Sequence, residues 1–263
     1  MSAQSAGHLR TGQGPSGLSE IAIIGGTGLT SLNGLRISRK RMVPTPWGEP
    51  SGPVTYGELF GKQVVFLARH GYQHTIPPHR VNYRANLWAL KQIGVEKIVA
   101  VAAVGGIHRE LGPGALAIPD QIIDYTWSRG HTYFEHDLTS VTHVDFTYPY
   151  SETLRDGLIR AAQRAEVVVR AGGTYGATQG PRLETAAEIG RMERDGCDLV
   201  GMTGMPEAAL ARELGLQYAA CAVVANWAAG RAAGEINMDE LAETLRRGME
   251  QVRRLLEQAI PAI

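Results

Sequence analysis

Ile21-Ala22-Ile23-Ile24-Gly25-Gly26-Thr27-Gly28 is the stretch that decides the fold. Four consecutive apolar residues, stopped at once by glycines, are too short for a helix and do not alternate. They read as a strand buried on both faces, of the kind found in a sheet covered by helices. Working outward, similar short runs recur at 64–68, 98–103, 199–202 and 218–224, and helical patterns occupy 83–93, 154–165, 185–192, 206–214 and 238–260. Leu87, Leu90 and Ile93 share a helical face closed by Gly94, while Pro206 and Glu207 suit a first turn that Gly215 ends. The stretch 43–51, with Pro44, Pro46, Gly48 and Pro50, reads as an irregular loop into a hairpin. No repeat or linker divides the chain. The expected fold class is α/β, a single domain over 21–263 with a central mixed, largely buried β-sheet flanked by helices. Residues 1–20 are rich in Gly, Ser, Gln and Ala and lack the apolar centre of a signal peptide. They are expected to be a flexible tail, and the protein cytoplasmic.

Composition narrows the function classes. The 263 residues carry 26 Lys+Arg against 26 Asp+Glu, a net charge of zero, which argues against binding a nucleic acid polymer. No stretch of apolar residues is long enough to span a membrane. Cys197 and Cys221 match neither a zinc spacing nor a disulfide scaffold and read as buried free thiols. The 32 glycines are the unusual number.

Those glycines gather at strand ends. Gly25-Gly26-Thr27-Gly28 lacks the third glycine of a dinucleotide fingerprint, since Ser31 stands there, and no P-loop Lys follows. Taken alone it is equally a tight turn, although Thr27 adds a hydroxyl where backbone can approach an anion. Arg69-His70-Gly71 follows the run 64–68, at the carboxyl end where open α/β sheets collect ligands. Arg69 offers a bidentate fork for phosphate and His70 a second donor; the plainer alternative is a surface ion pair with a capping His. Val101-Ala102-Ala103-Val104-Gly105-Gly106 makes a third such end. Three together favour one shared phosphate site. Downstream, 178–185 places Gly180-Pro181-Arg182-Leu183-Glu184 before a helix, and Gly201-Met202-Thr203-Gly204 joins a strand to a helix. Glu184 complementing a helix dipole and Thr203 acting as a cap are the structural alternatives there.

These motifs, in this order and with Val81-Asn82-Tyr83-Arg84-Ala85-Asn86 between them, resemble the trimeric purine nucleoside phosphorylases and methylthioadenosine phosphorylases from about Ile21 to the C-terminus. The resemblance implies a nucleoside phosphorylase fold, a pentosyltransferase activity in purine salvage, and a homotrimer. It implies inorganic phosphate as co-substrate, with no metal and no organic cofactor. By resemblance, phosphate is held by Thr27, Arg69, His70, the backbone at Ala102 and Ala103, and Thr203. Ala102 replaces a Thr or Asn of the relatives, which removes one side-chain hydrogen bond.

Substrate choice follows from individual positions. The methylthioadenosine enzymes carry acids where Asn226 and Ala228 stand, whereas the inosine and guanosine enzymes pair an Asn with a Glu at Glu184. An amide donating to a 6-oxo group and a carboxylate accepting from the ring N–H suit hypoxanthine and reject adenine. The resemblance also assigns Leu183 and Met202 to the base and sugar site. At the sugar end, Met238 replaces the His that meets a ribose 5′-hydroxyl, and His74 and His143 match residues of the methylthioadenosine enzymes, His143 reaching in from a neighbouring subunit. Met suits a thioether. The mixed pattern resembles the bacterial methylthioinosine phosphorylases. It implies phosphorolysis of 5′-methylthioinosine to hypoxanthine and 5-methylthioribose 1-phosphate, with catalysis by Asn226, Glu184, Arg69 and His70. The alternatives are a methylthioadenosine or general inosine/guanosine phosphorylase, or, in another class, a non-catalytic nucleoside-binding protein.

Overall fold

The computed structural model describes residues 20–136 and 138–263, so the expected tail, apart from Glu20, lies outside the described residues. One mixed sheet joins β1 (Ile21–Gly25), β2 (Arg36–Arg41), β3 (Val54–Leu59), β4 (Lys62–Ala68), β5 (Lys97–Gly106), β6 (Leu116–Ile118), β7 (Gln121–Asp124), β8 (Val169–Ala171), β9 (Thr174–Ala177), β10 (Leu199–Gly201) and β11 (Gln217–Trp227). The helices are α1 (Tyr83–Gln92), α2 (Glu152–Arg164), α3 (Ala186–Arg194), α4 (Gly204–Glu213) and α5 (Met238–Ala259). The α/β class expected from the sequence is the one observed, and the five apolar runs are β1, β4, β5, β10 and β11.

Why the runs are apolar throughout is visible in β1. Ala22 and Ile24 face a core built with Leu87 and Leu90 of α1 and with Leu210 of α4. Ile21 and Ile23 face the opposite core, against Leu154 and Leu158 of α2 and Leu255 of α5. Period-two side chains with helices on both sides leave no face for polar residues. Local chemistry sets the helix starts. Ser151 caps α2, and Thr185 with Glu188 forms a reciprocal capping box on α3. Helix α4 is regular only from Pro206, because Met205 keeps an extended backbone at φ −115°, ψ 139°.

Four strands position the site. β1 lies between β4 and β5 and runs parallel to both, with Gly25 opposite Ala68 and Ile24 opposite Ala100. β11 continues the parallel set beyond β5, and its register slips between Val224 and Asn226. The carboxyl ends of β4, β1, β5 and β11 therefore meet along one edge. Among the described residues, no helix is long and apolar enough to cross a membrane.

Candidate active site

At that edge opens a cavity of about 390 Å³. It is lined by Thr27, Arg69, His70, His74, Ala102, Ala103, Leu183, Glu184, Met202, Thr203, Asn226, Ala228 and Met238, so nearly all the residues singled out in the sequence come together. His143 is the exception: it stands on an exposed stretch away from this wall. Ile76, Pro78, Ile236 and Leu241 also line the cavity without having been foreseen. Leu241 was legible in principle, since it lies one helical turn beyond Met238.

Arg69 follows β4 and is 1% exposed. Its Nε donates to Glu207 Oε2 and its Nη2 to Glu207 Oε1, both at 2.7 Å, while Nη1 donates to the Val101 carbonyl at 3.0 Å. The fork expected to grip phosphate is thus occupied by Glu207, whose place in the sequence points only to a helix start. One N–H on each Nη is left to meet a ligand. Burial works against the Arg69 charge, but the Glu207 carboxylate more than offsets it and the pKa is raised. Tyr218 completes the group by donating to Glu207 Oε1 at 2.8 Å. Gly26 lets the guanidinium lie this close: a Cβ there would stand 2.8 Å from Arg69 Nη1 and 2.7 Å from the Val101 carbonyl.

His70 corrects a second expectation. Its Nδ1 lies 2.8 Å from the Ile76 carbonyl, which can only accept, so Nδ1 carries the proton. Burial and the neighbouring Arg69 cation push the pKa down to about 4. At neutral pH this leaves Nε2 as an acceptor, the reverse of the donor that the sequence suggests. His74 packs edge-on against it at 5.0 Å between ring centres, with its Nε2 3.4 Å from Thr27 Oγ1.

The other polar groups are oriented by short local bonds. Glu184 Oε1 accepts from Thr178 Oγ1 at 2.6 Å, which fixes the carboxylate and leaves Oε2 for a ligand. Asn226 sits just after the slip in β11, a bulge of the kind that re-aims a side chain. Its Nδ2 donates to the Trp227 carbonyl at 2.7 Å and keeps a second N–H. Thr203 precedes α4, but its side chain makes no capping bond, so the cap alternative is not realised. Not every glycine of these strand ends serves the cavity. Gly26 and Gly105 line the cavity, whereas a Cβ on Gly106 would stand 1.7 Å from the Leu111 carbonyl, so Gly106 serves chain packing.

Comparison with known proteins gives this arrangement a family. The sequence model of the Phosphorylase superfamily matches residues 20–261. The chain is 56% identical over 241 residues to a probable S-methyl-5′-thioinosine phosphorylase of Pseudomonas syringae pv. tomato, covering 92% of this chain and 98% of that protein. It is 45% identical over 248 residues to the 6-oxopurine nucleoside phosphorylase of Pyrococcus furiosus, covering 92% of each. Among solved structures, methylthioadenosine phosphorylase from Schistosoma mansoni in complex with adenine superposes with a TM-score of 0.88 at 34% identity, covering 92% of this chain and 91% of that one. A cavity at parallel strand ends, holding a buried cation beside an amide and a carboxylate, is thus embedded in a matching sequence over almost the whole described chain, and the protein belongs to the phosphorylase superfamily as a purine nucleoside phosphorylase, a pentosyltransferase.

Proposed function

We propose that the protein cleaves 5′-methylthioinosine with inorganic phosphate, giving hypoxanthine and 5-methylthioribose 1-phosphate. The observation that carries this reading is the composition of one cavity wall: Asn226 and Glu184 as a 6-oxopurine pair, with Ile236, Met238 and Leu241 where a ribose 5′-hydroxyl would need a polar partner. Phosphate sits against Thr27, the two remaining Arg69 N–H groups, the backbone at 102–103 and the Thr203 hydroxyl. His70 Nε2 accepts from a phosphate hydroxyl rather than donating. A phosphate oxygen attacks the anomeric carbon as the bond to purine N9 breaks, and the held anion stabilises the oxocarbenium-like transition state. The bonding electrons pass to the purine, whose O6 accepts a hydrogen bond from the spare Asn226 N–H and whose ring N–H donates to Glu184 Oε2. The proton that phosphate loses on becoming the sugar ester reaches the departing purine nitrogen through solvent, giving neutral hypoxanthine. The reaction uses no cofactor in this reading.

The protein is further proposed to work as a cytoplasmic homotrimer in which His143 serves the sugar end of a neighbour's cavity. The segment from Trp127 to Tyr148 supports such an interface, because Trp127, Val141 and Tyr148 expose 66%, 75% and 71% of their surface.

Phosphorolysis of methylthioinosine, methylthioadenosine and inosine, assayed side by side, tests the substrate. Methylthioinosine should lead methylthioadenosine in kcat/KM by at least about 100-fold, because adenine leaves both Asn226 and Glu184 unmatched. A preference for methylthioadenosine would overturn the role of Asn226, and equal use of inosine that of Met238. Asn226→Asp should move the preference toward 6-aminopurines.

A further inference from the structure

Arg129 lies on the segment after β7, is 8% exposed and does not line the cavity. Its guanidinium is fully engaged. Nε donates to Gln179 Oε1 at 3.1 Å. Nη1 donates to the carbonyls of Met202 at 2.8 Å and Met205 at 2.7 Å, and at 3.3 Å to Tyr83 Oη. Nη2 donates to the carbonyls of Thr178 at 3.1 Å and Gln179 at 2.8 Å. These acceptors are all neutral oxygens. A buried arginine ordinarily takes a carboxylate, as Arg69 does with Glu207; here a ring of carbonyls replaces it.

The acceptors share a location. The β9–β10 ladder ends with Ala177 opposite Gly201, and Thr178 N makes one last bond to the Gly201 carbonyl at 2.8 Å. Beyond that point the two backbones part. One runs through Thr178 and Gln179 to Leu183 and Glu184, and the other through Met202 and Thr203 into α4. Arg129 bridges them where the ladder no longer does. Tyr83 extends the tie, because its hydroxyl donates at 2.9 Å to the carbonyl of Pro78, another cavity residue.

We propose that Arg129 is a positioning residue for the nucleoside. It holds the 178–184 loop and the 202–205 turn at a fixed separation, so that Glu184 and Met202 present themselves together to base and sugar. The inference rests on the phosphorylase reading. Arg69 and His70 are fixed by other partners, Glu207, Val101 and Ile76, so of the phosphate contacts only Thr203, which rides on the 202–205 turn, depends on Arg129. Lysine keeps the charge but cannot reach acceptors spread around a planar fork.

The experiment compares Arg129→Lys, Arg129→Ala and Gln179→Ala with the wild type. Folding is checked by circular dichroism, kinetics are measured with nucleoside and phosphate varied separately, and hypoxanthine binding is followed by calorimetry. Folded Arg129→Lys should lose about 100-fold in kcat/KM for the nucleoside, the scale expected of a misplaced reacting group. Its phosphate KM should rise clearly less than its nucleoside KM, by no more than about tenfold, because only Thr203 shifts with the turn while Arg69 keeps its own anchors. Guanidinium chloride at tens of millimolar should partly restore Arg129→Ala, and ammonium chloride should not, since only the former supplies the fork. Gln179→Ala, which removes only the Nε acceptor, should show the same asymmetry more weakly. It decides the matter if the Arg129 variants do not fold. Wild-type kinetics per folded molecule, equal rises in both KM values, or an unchanged nucleoside KM in Gln179→Ala would overturn the proposal. A wild type that releases no base from any purine nucleoside would instead overturn the phosphorylase reading, and Arg129 would then stand or fall on hypoxanthine binding.

Discussion

A neutral imidazole beside a buried guanidinium makes His70 a measurable feature of the fold. Its pKa falls from 6.5 to about 4, first through burial and then through Arg69. Between those values the unfolded chain binds a proton that the folded chain refuses, so stability rises with pH through the window and is lost as pH falls. The loss by pH 4 is on the order of 3 kcal/mol. Urea unfolding of wild type and His70→Asn at pH 7 and pH 4.5 checks it: the wild type should fall more steeply, and parallel slopes would refute the assignment. Glu207 is the matching case for Arg69. Glu207→Gln leaves a buried guanidinium without its counter-charge and should cost about 3–5 kcal/mol of stability, with activity reduced as the fork loses alignment. Retained Tm together with retained activity would count against it. Residue types at the site were readable in the sequence because Arg, His, Asn and Glu carry chemistry on their face. Their partners were not. Nothing in Pro206-Glu207 marks the carboxylate as Arg69's counter-ion 138 residues away, and nothing in 76 marks its carbonyl as the group that sets the His70 tautomer.

Among the elements, legibility followed burial. β1, β4, β5 and β11 are apolar because helices cover both their faces, and that leaves a signal in a single sequence. β2 is exposed along all six of its residues and reads Arg-Ile-Ser-Arg-Lys-Arg, a charged edge strand without a hydrophobic pattern. β6 and β8 have three residues each, too few to show any period. The bulge before Asn226 was equally silent, since a register slip depends on the partner strand. The junction of β1 with β4 and β5 carries the clearest consequence at this scale. Gly26→Ala would set a methyl group 2.7 Å from the Val101 carbonyl and 2.8 Å from Arg69 Nη1, and the backbone of a central strand cannot yield. The expected result is a loss of roughly 1–3 kcal/mol in stability. Phosphate KM should rise well above the wild-type value while nucleoside KM changes less. A variant with wild-type phosphate KM would show that Arg69 tolerates the displacement and that the close approach has no bearing on the site.

For the molecule as a whole, His143 is the expected site residue that does not line the cavity of its own chain. Thirteen of the residues expected at the site line one cavity of one chain, yet His143 stands on an exposed stretch beside Val141 and Val144, which are 75% and 38% exposed. A head-to-tail interface in which each chain lends this segment to the next would account for both facts, and such an interface closes into a ring of three if successive chains are related by a rotation of about 120°. Subunit mixing tests the arrangement directly. His143→Ala and Arg69→Ala should each be nearly inactive alone, the first for want of a sugar contact and the second for want of its phosphate cation. In a trimer formed from equal amounts of both, a cavity works when its own chain keeps Arg69 and its donor chain keeps His143, which random assembly achieves in roughly one site in four. Activity should therefore reappear on unfolding and refolding the two variants together, at about a quarter of the wild-type rate. It should not appear when they are refolded apart and then combined. If mixing restores nothing, or if His143→Ala alone keeps full activity, each chain completes its own site and the exposed 138–148 segment serves some other surface.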